Sequence, residues 1–203
     1  MTRNEVIATF AIPPQAAARL DAFAALLTDW QSRMNLVANS TLPDVWGRHF
    51  ADSIQLAGMV PANDDTVWLD IGSGAGFPAL VLALVAPGHF HLVEATAKKC
   101  AFLRDAAKVL GVDERVTIHA ARIEGMPVFA ADIVTARACA PLTQLFNLGE
   151  RFARDRWLLL KGRTAADEVS AARNAFTFDA ELVASRTDAA ARIVVASNVR
   201  RRR

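Results

Sequence analysis

From Thr66 to Lys161, short β-branched runs alternate with helix-length apolar patterns, and then the alternation breaks. Strand candidates are Val67–Ile71, Phe90–Val93, Val116–His119, Ile133–Ala136 and Trp157–Leu160; helix candidates are Pro78–Val85, Lys98–Leu110, Pro141–Arg154 and Ala165–Ala175. Such alternation requires a parallel sheet covered by crossover helices. Beyond it, Phe178–Ser185 and Arg192–Ser197 are joined by residues 186–191 alone. That link is too short for a crossover, so the two runs pair antiparallel. A doubly wound α/β sheet that ends in an antiparallel pair departs from the all-parallel dinucleotide-binding arrangement.

The segment before this pattern has a different texture. Ala17, Leu20, Phe23, Ala24, Leu27, Trp30 and Met34 fall at helical spacing over residues 14–37, with Pro13 and Pro14 at the entry, and a second helix is expected from Pro43 to Met59. Ala62, Asn63, Asp64 and Asp65 form a polar break. We therefore expect an N-terminal helical extension over residues 1–62 and an α/β domain over residues 63–203.

With 53% hydrophobic and 22% charged residues among 203, the chain carries enough core-formers to exclude a disordered protein. Cys100 and Cys139 show no metal-ligand spacing, and His89, His91 and His119 are scattered, so no metal is expected. The start lacks the order of a signal peptide, and the apolar run Phe77–Ala86 is far below the roughly 20 residues that span a bilayer. A cytoplasmic monomer with no membrane partner is the expectation. Net charge runs from −3 over residues 1–65 to +1 over 66–160 and +4 over 161–203, ending in four consecutive arginines, Arg200–Arg203. This polarity could orient a polyanion, and the arginines alone could equally be a solvated, mobile tail.

The most informative stretch is Leu69-Asp70-Ile71-Gly72-Ser73-Gly74-Ala75-Gly76-Phe77-Pro78, which follows a strand and opens a helix. Glycines at 72, 74 and 76 allow positive φ and close backbone approach to a ligand. The spacing is G-x-G-x-G, not the pyrophosphate-binding G-x-G-x-x-G. Asp70 ends the first strand, where a carboxylate repels phosphate and suits a cationic amino-acid group. Glu94 ends the second strand 22 residues after Gly72, where it can accept both ribose hydroxyls. These features favour S-adenosyl-L-methionine over NAD. A glycine turn by itself also serves purely structural ends.

Beyond that turn, an ordered series of segments resembles the RsmG (GidB) family of bacterial 16S rRNA guanine-N7 methyltransferases. It comprises Asn35-Leu36, Arg48-His49-Phe50-Ala51-Asp52-Ser53, Leu69 to Pro78, Leu92-Val93-Glu94, Lys98-Lys99, Phe102-Leu103, Arg122-Ile123-Glu124, Arg137-Ala138 and Leu160-Lys161-Gly162. The resemblance implies a class I S-adenosylmethionine-dependent methyltransferase fold, Rossmann-like, with the helical extension at its N-terminus. It implies cofactor contacts at Gly72, Phe77, Ile123, Glu124 and Arg137, with Glu94 on the ribose. It also implies 16S rRNA or the small ribosomal subunit as partner, and guanine 527 of the 530 loop as target. Ala136 stands where the family often has serine. The same turn would also serve a methyltransferase acting on a small molecule or a protein.

Guanine N7 has an in-plane lone pair and no proton to lose, so this transfer needs no general base, and no nucleophile set is evident. It needs alignment of N7, methyl carbon and sulfur, and side chains that read the base edge. Arg48, His49 and Asp52 fall within one helical turn or so. Asp52 is expected to accept from the guanine edge or offset the cationic product, and His49 to help position the base. The bland alternative is an Arg48–Asp52 ion pair. Arg137, after the fourth strand, suits a contact to cofactor or target nucleotide, and Lys161, after the fifth, a phosphate contact. Trp30, Trp46, Trp68 and Trp157 sit in apolar periods and are expected in the core.

Overall fold

The computed structural model describes residues 1–137 and 139–202; Ala138, of the Arg137-Ala138 pair, and Arg203, of the terminal arginines, lie outside the described residues. Strands β1 (Val67–Ile71), β2 (His89–Glu94), β3 (Val116–Ala120), β4 (Ala131–Arg137) and β5 (Ala153–Lys161) run parallel, and β6 (Phe176–Ala184) and β7 (Arg192–Arg201) complete a seven-stranded sheet ordered β3-β2-β1-β4-β5-β7-β6. β7 lies antiparallel between β5 and β6. The short link forced this: a chain that turns back within a few residues can only pair antiparallel.

Alternation along the buried strands splits the core in two. Trp68, Phe90 and Leu92 face α4 (Ala79–Val85), α5 (Ala97–Leu110) and the N-terminal helices α1 (Arg3–Phe10) and α2 (Pro14–Gln31), where Leu20, Phe23, Leu27 and Phe50 pack with Phe77, Leu80 and Phe102. Leu69, Ile71, Val134, Trp157 and Leu159 face α6 (Leu142–Gly149) and α7 (Ala165–Ala172). The N-terminal extension thus shares one apolar core with the sheet. Trp46, Trp68 and Trp157 are buried, and Trp30 packs edge-on against Phe102.

Three elements differ from the sequence expectation. The first long helix stops at Gln31 rather than near residue 37, because the Gln31 side chain gathers the returning loop: its Oε1 accepts from the Leu36 and Val37 N–H groups, and its Nε2 donates to the Val37 carbonyl. The expected helix from Pro43 to Met59 is a 3-10 turn at Asn39–Asp44, a wide π turn at Trp46–Ala51 and the short α3 at Asp52–Ile54. The helix expected to reach Arg154 ends at Gly149, where any side chain would meet Trp157.

The terminal arginines are also not a loose tail up to Arg202. Arg200 and Arg201 finish β7, and the Arg202 N–H donates to the Ala175 carbonyl at 2.8 Å. Arg192 pairs with Lys161 at the carboxyl end of β5, whereas Arg201 pairs with Phe176 at the start of β6. Nine residues of strand, at about 3.3 Å each, put the arginine end roughly 30 Å from the opposite rim of the sheet.

Candidate functional site

The glycine turn lies where β1 ends, on the rim at which open α/β sheets bind ligands. Gly72, Gly74 and Gly76 have φ of +68°, +53° and +82°, a left-handed path that other residues adopt at a cost. A Cβ on Gly74 would meet only the Gly72 carbonyl, 3.8 Å away, so the crest of the turn is open. Gly72, Ser73, Gly74 and Ala75 form the floor of a cavity of about 430 Å³. Its far wall comes from the loop at 36–38, the 3-10 turn, the π turn, the start of α3 and the β6–β7 hairpin, which supply Thr41, Arg48, His49, Asp52, Ser185 and Asp188.

Behind the floor, Asp70 is buried. Its Oδ1 accepts from Thr135 Oγ1 at 2.7 Å, while Oδ2 is the one fully buried side-chain N or O atom without a partner among the described residues. Burial pushes its pKa up to about 7, against the pull of the Ser73 and Thr135 hydroxyls and the Arg137 charge. An orphaned carboxylate oxygen under an open turn fits the ammonium of an amino-acid ligand better than a phosphate. Glu94, also buried, braces the turn: Oε2 accepts from Gly74 N–H at 3.1 Å and Oε1 from Thr96 N–H at 2.8 Å. Each oxygen keeps a lone pair for a ribose hydroxyl. Arg137 closes the opposite side of the cavity. These residues fit the methionine and ribose parts of S-adenosylmethionine.

The wall centres on Arg137 and His49. Arg137 Nη1 donates to His49 Nδ1 at 2.8 Å and to the Arg48 carbonyl at 3.3 Å, with its guanidinium 4.6 Å from the Phe77 ring centroid. A guanidinium only donates, so Nδ1 is the acceptor and the imidazole proton is on Nε2. Nε2 lies 2.8 Å from Thr41 Oγ1, which in turn donates to the Ala38 carbonyl at 2.7 Å. The ring stacks on Phe77 with centroids 4.9 Å apart. Burial, then the Arg137 and Arg48 charges, hold its pKa down at about 3, so His49 stays neutral. Burial lowers the Arg137 pKa to about 10 while Asp52 and Asp70 oppose the drop; it remains a cation at neutral pH.

Asp52 stands beside them. Gln55 Nε2 and Thr187 Oγ1 both donate to its Oδ1, each at 2.8 Å. Oδ2 has no partner among the described residues and is not sealed off, so it is the oxygen available to the cavity. Burial raises the Asp52 pKa, opposed by the Thr187 hydrogen bond and by Arg137 and Arg48.

The structure therefore gathers Arg48, His49, Asp52, Gly72, Gly74, Phe77, Arg137 and Lys161 on one cavity, with Asp70 and Glu94 directly beneath. Gly76 lies below the turn against Leu80. Ile123 is buried and Glu124 exposed in a 3-10 turn after β3; neither lines the cavity. Arg48 pairs not with Asp52 but with Asp188 across the hairpin, at 3.1 Å. Lys161 is no free phosphate ligand in this conformation: its ammonium is 2.8 Å from Glu168 Oε2 and donates to the Ala140 carbonyl at 2.6 Å. Sequence reasoning missed Thr41, Gln55, Thr187 and Asp188, ordinary polar residues whose only signal is contact across the fold. The histidines are less scattered than expected, since His91 Nδ1 lies 2.9 Å from His119 Nε2. Among the described residues no group of three or more potential ligands could hold a metal, and no helix is long and apolar enough to cross a membrane.

Comparison with known proteins agrees with this geometry. A family model described as GidB, rRNA small subunit methyltransferase G, matches residues 16–193. The chain is 48% identical to the ribosomal RNA small subunit methyltransferase G of Rhodospirillum centenum over 183 residues, 89% of this chain and 83% of that one. It is 41% identical to the protein of that name from Rhodospirillum rubrum, covering 99% of this chain and 100% of that one. Among solved structures, magnesium protoporphyrin IX methyltransferase from Synechocystis with bound SAH superposes with a TM-score of 0.57 at 15% identity, over 90% of this chain and 99% of that one. A SAM-dependent O-methyltransferase from Thermotoga maritima gives a TM-score of 0.58 at 17% identity, over 95% and 74%. These neighbours share the class I methyltransferase fold.

Proposed function

The chain belongs to the rRNA small subunit methyltransferase G (GidB) family and is an S-adenosylmethionine-dependent methyltransferase of 16S rRNA; on that premise we propose that it methylates N7 of a guanine, guanine 527 of the 530 loop, held against the wall opposite the glycine turn. The observation that carries this reading is the single cavity in which the turn faces Arg137, His49 and Asp52. Bound cofactor supplies an electrophilic methyl on a sulfonium. N7 supplies the electron pair, so the side chains orient and compensate charge, and no proton is abstracted.

Under this reading Asp70 and Glu94 hold the amino-acid and ribose ends of the cofactor over Gly72 and Gly74, with Phe77 beside them; the adenine reaches past the cavity toward Ile123 and Glu124, which do not line it. Arg137 spends two of its five N–H donors on His49 and the Arg48 carbonyl. The other three serve the cofactor carboxylate and guanine O6. His49 acts through Arg137, since both its ring nitrogens are engaged. Asp52 Oδ2 accepts from the guanine N1–H and 2-amino group and offsets the positive charge that N7 gains. Arg48 contacts phosphate, and Lys161 shapes the rim through Glu168.

The extension, residues 1–62, thus supplies Arg48, His49 and Asp52 to substrate reading, and residues 63–203 carry the cofactor and add Arg137 and the hairpin to the substrate wall. The reading takes the protein to be a monomer acting in the cytoplasm, where rRNA is found. The test is mass-spectrometric mapping of 7-methylguanosine in 16S rRNA after incubation with cofactor and either the parent protein or Asp52→Asn. The parent is expected to place one 7-methylguanosine. Asp52→Asn is expected to lose about 10- to 100-fold in turnover with normal cofactor affinity; unchanged turnover removes Asp52 from the mechanism.

A further inference from the structure

The far end of the sheet carries a second, smaller cleft of about 300 Å³, lined by Arg173, Thr177, Phe178, Asp179, Asn198 and Arg202. It opens at a bulge: the β6–β7 register jumps between Thr177↔Arg200 and Asp179↔Ser197, and Asn198 turns left-handed at φ +56°. Bulges of this kind re-aim side chains. Arg173 stacks 4.7 Å over Phe178 and gives one N–H to the Phe178 carbonyl, and Arg202 gives its Nε–H to the Phe176 carbonyl. Neither has a carboxylate within ion-pair distance among the described residues. By contrast, their neighbours Arg154, Arg156 and Arg201 are paired with Asp132, Asp155 and Glu150. Each of the two keeps donors free. The counter-charge in the cleft is Asp179, whose Oδ2 already accepts from Asn198 Nδ2 at 2.7 Å.

We propose that this cleft clamps one phosphodiester of the rRNA backbone, between Arg173 and Arg202, roughly 20–30 Å from the methyl-transfer rim. Two guanidiniums and one carboxylate leave a single positive charge, which matches a phosphodiester better than a free phosphate dianion. A contact so distant serves only an RNA that extends well past the target base, so it selects folded rRNA over short fragments. The inference rests on rRNA being the substrate.

The experiment measures KM and its salt dependence for Arg173→Gln/Arg202→Gln with three probes: naked 16S rRNA, small-subunit particles, and a short RNA hairpin that carries only the target loop. A second variant, Thr177→Glu, adds a carboxylate to the cleft and leaves both arginines packed. Both variants are expected to raise KM several-fold for 16S rRNA and particles, at unchanged kcat, and to leave KM for the hairpin unchanged. The double arginine variant should also reduce the slope of log affinity against log salt by about 1. An unchanged slope and KM with 16S rRNA overturns the clamp. Equal weakening on hairpin and full-length RNA assigns the effect to general disruption and also overturns it. Weakening on particles but not on naked rRNA assigns the cleft to a ribosomal protein instead. Failure of the parent protein to methylate any of the three RNAs while still binding cofactor is a different result, and it removes the function reading itself.

Discussion

The two walls of the cavity are built in opposite ways. The cofactor wall is mostly local: strand end, glycine turn and helix start lie between Leu69 and Pro78, braced from elsewhere by Val93, Glu94, Thr135, Arg137 and Cys139. The substrate wall is assembled from parts more than a hundred residues apart, Asp52 with Thr187, Gln55 with Arg186 and Arg48 with Asp188. A local wall depends on backbone conformation, whereas an assembled one depends on docking. Changes in the first should therefore cost fold stability, and changes in the second should cost activity at little expense in stability.

The largest effect is expected at Gly76. An alanine there takes on a left-handed φ of +82° and drives its Cβ into Leu80, with Cγ at 2.8 Å and Leu103 Cδ2 at 3.2 Å. Left-handed backbone costs about 1–2 kcal/mol and overpacking another 1–3. Gly76→Ala should lose about 2–5 kcal/mol in urea denaturation and release the cofactor in calorimetry. Gly162→Ala, which meets nothing within 4 Å, is the control and should stay within about 0.5 kcal/mol. Parent-like stability for Gly76→Ala would break the claim that the cofactor wall is set by local backbone.

Asp70 comes next. With its pKa raised to about 7, the folded protein holds a proton that the unfolded chain releases near pH 4. Its stabilising contribution is therefore full below about pH 4 and is lost as pH rises through 7. The change is on the order of 4 kcal/mol, and denaturation of the parent against Asp70→Asn across pH 4–8 reads it, since the variant lacks this titration. A parent curve no steeper than that of Asp70→Asn would mean the buried oxygen is ionised and compensated.

Thr41→Val tests the assembled wall. It leaves the His49 Nε2–H without its acceptor, while the Ala38 carbonyl keeps the Thr41 backbone N–H, at a cost of about 1 kcal/mol. Methylation should fall about tenfold, through loss of the orientation that His49 gives Arg137, and Thr41→Ser should restore it. Activity between pH 5 and 8 should show no His49 titration, because that pKa is about 3. A stability loss with full activity would place Thr41 in the fold alone.

The same contrast explains what sequence could tell. The five parallel strands, the antiparallel end and the glycine turn were legible because each is a pattern within a few residues: alternation, link length, glycine spacing. Arg48, His49, Asp52 and Arg137 were legible as residue types, and they do meet at one cavity. Their partners were not. The wide π turn has no signature in Trp46–Ala51 that separates it from an α-helix, and nothing near Arg48 announces Asp188. The spacing of Lys161 and Glu168 gave no hint that α7 returns the carboxylate to the ammonium. The arginine run was plain in sequence, but only strand register shows that it ends at the far end of the sheet.

The smallest effect on stability is expected where the assembled wall meets solvent. Arg48 and Asp188 are half-exposed, with side chains 49% and 38% accessible, and such pairs add little to folding because water and salt screen them. The Asp188 carboxylate is held low first by the Ala190 N–H and then by Arg48, so its turn survives substitution better than the ion pair does. Asp188→Asn should show no resolvable shift in melting temperature, yet it frees a guanidinium on the rim. If Arg48 meets RNA phosphate, KM for 16S rRNA should fall and the slope of log affinity against log salt should steepen by up to about 0.9. A drop of several degrees in melting temperature would show instead that the pair latches the hairpin to the N-terminal extension, and the two walls would then differ less in kind than in the distance their contacts cross.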